Sequence, residues 1–227
     1  MRCWILGAKQ RREKEKEIRK NDIIEAAEKV FFTKGYDNAT MDDVAKEVEF
    51  SKRTLYVYFN SKEQIYFEIM VRGYKLLIGM LKEDSQKRIA CNAVEEIRRL
   101  SLTFYQFSKD YPQYFQAIME YENGELDFQK GIPDRSREEC YGLGEEILGY
   151  LTGALEKGIA EGSIRNDLNV IQTALVFWAC MVGVFNTARK KEKYIRNYHG
   201  MMPEELISSA FQLVIRSIQA EKKGEFI

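Results

Sequence analysis

The stretch TMDDVAKEVEFSKRTLYVYFNSKE, residues 40–63, decides how the rest of the chain is read. It holds two short helical segments, each opened by a hydroxyl side chain. Thr40 precedes MDDVAKEVE and has Asp43 three positions on, the spacing of an N-terminal capping box. Ser51 precedes KRTLYVYF; Asn60–Ser61 breaks that segment, and Ser61 caps a longer helix starting at Lys62. Val44, Ala45 and Val48 form the inward face of the first segment, and Leu55 and Phe59 that of the second. Ala45 is small where two helices would cross closely. The remainder of the second segment is Lys52, Arg53, Thr54, Tyr56 and Tyr58, a crowd of donors and rings.

Two short helices joined at a sharp angle, the second opening with exposed cations and hydroxyls, make a helix-turn-helix. In that motif the second helix enters the DNA major groove and its N-terminal residues reach base edges. Lys52 and Arg53 are suited to guanine O6 and N7. Thr54 can bond a base or a phosphate. Tyr56 and Tyr58 each offer a ring and a hydroxyl for a phosphate or a thymine methyl. Lys62, at the start of the fourth helix, is placed as a phosphate clamp.

The 227-residue chain has a formal net charge of zero, yet the charge is unevenly spread. Residues 1–62 carry 14 Lys+Arg against 11 Asp+Glu, and residues 1–20 carry 8 against 3. The positive end is the end that holds the motif, as a nucleic-acid partner requires. Cys3, Cys91, Cys140 and Cys180 are scattered with no C-x-x-C pair, which points to free buried thiols in a reducing cytoplasm. His199, in an expected loop, is the single histidine, so no multi-histidine metal site and no Ser-His chemistry is indicated. No catalytic residue, metal site or cofactor is expected. The apolar run Asn169–Ala188 narrows to a strongly apolar Ala174–Phe185, which reads as a buried core or interface helix and not as a membrane span.

The remaining periodicity is helical throughout, with no convincing strand. Apolar spacing starts near Arg19, with Ile23, Ala27, Val30 and Phe31 on one face, and Gly35 stops that helix. Further helices are expected at 62–82, 92–109, 112–120, 135–161, 167–190 and 203–220, with Asp167 as a cap and loops over 122–134 and 193–205. Aromatic side chains are dense after Phe104 and again around Phe177. Phe104, Phe107, Met119, Phe177, Trp178 and Met181 are the candidate walls of an apolar ligand pocket, against the plain alternative of core packing. The last two helices carry the apolar faces expected of a four-helix dimer contact.

The pattern T-x-x-x-V-A … S-x-x-T-L-Y-x-Y-F-x-S-K-E, here Thr40, Val44, Ala45, Ser51, Thr54, Leu55, Tyr56, Tyr58, Phe59, Ser61, Lys62 and Glu63, resembles the DNA-binding signature of the tetracycline-repressor (TetR) family. AAEKVFFTKGYDNATM, residues 26–41, is similar to that family's first-helix segment. The resemblance covers roughly residues 19–66. It implies an all-α homodimer of about nine helices per chain. A tail and three-helix head would occupy residues 1–66, and a larger effector-binding and dimerisation body residues 67–227. By position, Lys52, Arg53, Thr54 and Tyr58 would face bases, and Thr40, Ser51, Tyr56 and Lys62 phosphates. The implied function is a cytoplasmic repressor bound to a palindromic double-stranded operator and released by a small hydrophobic or aromatic effector. The alternative is an interaction module of the same fold that has lost DNA binding. One departure supports that alternative: Glu49–Phe50 stands where the family has Gly and a small aliphatic residue. A left-handed backbone at Glu49 would cost about 1 kcal/mol.

Overall fold

The structure is a computed structural model, and it describes residues 7–87, 92–122 and 135–220. These residues form ten helices: α1 (Ala8–Lys34), α2 (Met41–Glu47), α3 (Lys52–Tyr58), α4 (Lys62–Lys87), α5 (Ala93–Asp110), α6 (Pro112–Glu122), α7 (Arg135–Glu161), α8 (Val170–Lys190), α9 (Glu192–His199) and α10 (Pro203–Ile218). The protein is all-α, as expected. The chain divides into two compact units, Met1–Tyr74 with Gly124–Tyr141, and Lys75–Asn123 with Gly142–Ile227.

Three elements differ from the sequence reading. α1 begins at Ala8 and not near Arg19. Its first turns are Lys, Arg, Glu and Gln, good helix formers that carry no apolar stripe and so leave no periodic signal. α9 occupies a segment expected to be a loop. It is only eight residues long, holds Ile195 inward, and ends at Gly200 in the left-handed region at φ 61°. α9 accounts for the count of ten against about nine. The cap of α8 is Asn169, whose side chain accepts from the Gln172 N–H at 2.9 Å, because Asp167 is taken by Arg165 at 2.7 Å. The loop expected over 122–134 lies, beyond Glu122, outside the described residues.

In the first unit, Ile23, Ala27 and Phe31 of α1, Val44 and Ala45 of α2, Leu55 of α3, and Ile65 and Ile69 of α4 are all buried. Polar ties surround this core. Arg72 pairs with Glu28 at 3.0 Å, and Glu68 pairs with Lys20 and accepts from the Ser136 hydroxyl at 2.7 Å. Cys140 is buried, with its thiol donating to the Phe67 carbonyl at 3.5 Å.

The second unit is built on rings. Phe104 lies 5.7 Å from Phe115, 5.5 Å from Trp178 and 5.8 Å from Phe185 between centroids, the range favourable for tilted and edge-on pairs. α8 is long and apolar enough to cross a membrane by length and composition. In the fold it packs on α10, with Ala174, Phe177, Met181, Val182, Phe185 and Ala188 buried. Its Cys180 is exposed, contrary to the buried thiol expected. An isolated antiparallel bridge joins Ile164 to Gln219: the Arg165 N–H donates to the Ile218 carbonyl at 3.0 Å and the Ala220 N–H to the Ser163 carbonyl at 3.1 Å.

Gly158 fixes how closely the end of α7 approaches that bridge. A Cβ there would overlap Cγ1 and Cδ1 of the buried Ile164 and stand 3.0 Å from the Ala93 Cβ. Gly158→Ala is therefore expected to destabilise the protein by about 2 kcal/mol through overpacking. A urea midpoint equal to that of the parent would show that Ile164 has room to move.

Candidate nucleic-acid interface

The α2–α3 pair is assembled by local hydrogen bonds. The Thr40 hydroxyl accepts from the Asp43 N–H at 3.1 Å, while the Asp43 carboxylate accepts from the Thr40 N–H at 3.0 Å and hydroxyl at 2.8 Å. This is the capping box read from sequence. Lys34 also bonds Asp43. That bond, followed by those from Thr40, holds the carboxyl down at about 2. The Ser51 hydroxyl oxygen accepts from the Thr54 N–H at 3.0 Å and lies 2.8 Å from the Thr54 hydroxyl. The Thr40 and Ser51 hydroxyls thus cap their own helices.

The turn between the two helices resolves the one departure from the family pattern. Glu49 has φ 58° and is the one non-glycine at positive φ among the described residues. Its N–H donates to the Lys46 carbonyl at 3.3 Å, and the Phe50 N–H donates to the Ala45 carbonyl at 3.0 Å. These are the paired bonds of a Schellman ending, with a glutamate in the place usually taken by glycine. The turn forms in spite of the side chain, at the cost of a Cβ held in the left-handed region.

Leu55 is fully buried, and the helix period distributes the remaining α3 side chains around it. Lys52, Arg53, Tyr56 and Val57 are exposed: Arg53 and Val57 lie opposite Leu55, with Lys52 and Tyr56 toward one flank, while Thr54 and Tyr58 are half-buried on the other flank. Lys52 pairs with Asp42 at 2.9 Å, and the hydrogen bond to Asp42 raises the Lys52 pKa. Both partners are exposed, so the pair is weak and readily exchanged for another anion. Arg53 makes no hydrogen bond or ion pair with any described residue. Val57 is 69 % exposed and was not singled out in the sequence. Its position, four residues after Arg53, would have placed it on the same face.

Lys62 behaves differently from an exposed clamp. Its ammonium donates to the Tyr36 carbonyl at 2.7 Å and the Ala39 carbonyl at 3.1 Å, and sits 4.1 Å from the Tyr36 ring centroid. It thereby ties the start of α4 to the α1–α2 turn. Burial, followed by Glu63 and Asp37, pushes the Tyr36 phenol up. The ammonium has three N–H donors, so one remains for a phosphate.

The six candidate pocket residues all lie in the second unit. Phe104, Phe107, Met119, Phe177 and Met181 are buried, and Trp178 is half-buried. Phe104 and Trp178 are in ring contact, as described above. His199 closes α9 and packs edge-on against Tyr194 at 4.9 Å. With Ile195, Met201 and Leu206 it lines an apolar cleft. Among the described residues no group of three or more His, Cys, Asp or Glu is placed to hold a metal ion.

A short capped helix, crossed by a second and presenting Lys52, Arg53, Tyr56 and Val57 outward, defines a DNA-binding helix-turn-helix head. Comparison with known proteins agrees. Residues 23–69 match the family described as bacterial regulatory proteins, tetR family. The HTH-type transcriptional regulator YhgD of Bacillus subtilis is 30% identical over 148 residues, which are 65% of this chain and 72% of that protein. The HTH-type transcriptional repressor NicS of Pseudomonas putida is 23% identical over 171 residues, 75% of this chain and 76% of that protein. The transcriptional regulator FadR of Bacillus subtilis, solved in complex with stearoyl-CoA, shares the fold with a TM-score of 0.59 at 21% identity, over 87% of this chain and 98% of that one. The chain belongs to the TetR family and is a helix-turn-helix transcriptional regulator.

Two substitutions test the local energetics. Glu49→Gly relieves the left-handed Cβ and is expected to stabilise the protein by about 1 kcal/mol in urea melts; a lower midpoint would mean that the turn does not need glycine-like freedom. Lys62→Met removes two charge-assisted hydrogen bonds and a cation–ring contact. It is expected to destabilise the DNA-free protein by about 2 kcal/mol. Unchanged stability would leave phosphate binding as the sole use of Lys62.

Proposed function

We propose that the protein is a repressor that binds a palindromic DNA operator as a homodimer and leaves it when a small hydrophobic or aromatic effector binds the second unit. The observation that carries this reading is the outward face of α3. With Leu55 buried, Lys52, Arg53, Tyr56 and Val57 are left exposed on one contiguous arc of the helix. Lys52 and Arg53 would read guanines, Val57 would pack on a thymine methyl, and Tyr56 would meet a phosphate. Thr54 and Tyr58 would work from the flank, with Thr40, Ser51 and Lys62 near the backbone of the DNA. The turn at Glu49–Phe50 is formed, which removes the main reason for thinking that the chain has lost DNA binding.

Support for the dimer comes from the second unit. Ile171, Leu175 and Val176 on α8 and Leu213 on α10 are exposed on two helices packed against one another. A two-fold related copy would cover them in a four-helix contact. For the effector, Phe104 and Trp178 with Phe107, Met119, Phe177 and Met181 would supply apolar walls once a ligand parts the ring cluster. The stearoyl-CoA complex of FadR makes fatty acyl-CoA the first ligand to test.

The decisive experiment is a gel shift on the DNA immediately upstream of the protein's own coding sequence, with and without stearoyl-CoA. Lys52→Ala with Arg53→Ala is expected to weaken specific binding about 100-fold, since each good base contact is worth roughly 1–3 kcal/mol. Wild-type affinity in the double variant would overturn the assignment of the reading face.

A further inference from the structure

The first turns of α1 present a feature that the operator-reading face does not use. From Lys9 to Arg19 every described side chain is exposed, so this part of the helix packs on nothing within the chain. A helix that is polar all round is held by its own side-chain pairs or by a partner. Arg19 with Glu15 at 2.7 Å is an internal pair of this kind. The helix persists because it propagates from the packed part of α1, beginning at Ile23, and needs no nucleus of its own.

The charges on this extension are sorted. At 100° per residue, Lys9, Arg12, Lys16, Arg19 and Lys20 fall within an arc of about 100°. Arg19 and Lys20 are paired, with Glu15 and Glu68. Lys9, Arg12 and Lys16 make no hydrogen bond or ion pair with any described residue. Glu13 lies about 20° and Glu17 about 60° past one edge of the arc, so three cations face one nearby carboxylate. The stripe also begins beside the recognition helix. The Lys20 ammonium lies 5.9 Å from the ring centroid of Phe59, the residue that closes α3. From there the helix carries the cations outward by about 16 Å, at 1.5 Å per residue. That is farther than the width of a major groove, about 12 Å.

We infer that Lys9, Arg12 and Lys16 form a second, sequence-independent contact with DNA phosphates flanking the half-site read by α3. This rests on the DNA-binding reading above and deepens it. The stripe adds affinity and lengthens the bound duplex, and it carries no base specificity. Cations engaging polyanionic backbone release condensed counterions, so the contact is visible as salt dependence.

The test uses the full chain and a fluorescein-labelled 40-base-pair duplex of random sequence, titrated by anisotropy at several KCl concentrations. Replacing Lys9, Arg12 and Lys16 together by Gln is expected to lower the slope of log K against log[salt] by about 3 per protomer. It should also weaken binding to random DNA and to the upstream fragment by the same factor. Glu13→Gln is expected to act in the opposite direction and tighten both. A slope unchanged in both variants overturns this inference alone, since Lys52 and Arg53 are intact in them. Loss of preference for the upstream fragment in the triple variant would overturn it too, because a phosphate contact cannot alter base choice.

Discussion

The burial of Leu55 on α3 is the constraint on which the exposed face of that helix depends. α3 is seven residues long, far too short to be helical by itself in water. Withdrawing Leu55 from solvent, with Val44 and Ala45 beside it, fixes both the existence of the helix and its rotation about its axis. Once the rotation is set, the 100° step leaves no freedom in which side chains point outward. Which α3 side chains face solvent is thus a consequence of packing one apolar side chain. The polar caps at Thr40 and Ser51 then satisfy the N–H groups that so short a helix would otherwise leave bare.

The second unit depends on a different kind of contact. Its rings meet edge-on or tilted around Phe104, an arrangement that fills space and leaves few polar atoms to place. Apolar surface remains on the outer sides of α8 and α10. Each of the two helices therefore has a buried face and exposed apolar side chains.

The parts of the structure legible in the sequence are those governed by short-range rules. Thr40 with Asp43, Ser51 with Thr54, and Gly35 after α1 announce their roles within three or four residues, and all act as read. The beginning of α1 left no trace because it has no buried face to impose a period. α9 was missed because a two-turn helix with one buried residue, Ile195, cannot be told from a loop by periodicity. Asp167 was named as a cap in place of Asn169 because either side chain can cap; a neighbouring arginine decided between them, which local rules do not anticipate. Lys62 shows the same limit at the candidate site. Its partners, the carbonyls of Tyr36 and Ala39, lie more than twenty positions away and belong to the backbone, where residue type carries no signal.

The bridge between Ile164 and Gln219 has a consequence for how the second unit comes apart. Two hydrogen bonds close the chain from Ser163 to Ala220 into a loop that contains α8, α9 and α10. Fraying at the end of α10 therefore does not stay local: it frees the α7–α8 connection at the same moment, and with it the packing of Ile164 against the end of α7. Segments that release one another in this way open as a cooperative block and not residue by residue. The segment Ile218–Ala220 is in this sense a latch, and the stability of three helices is felt at the two peptide groups flanking Gln219.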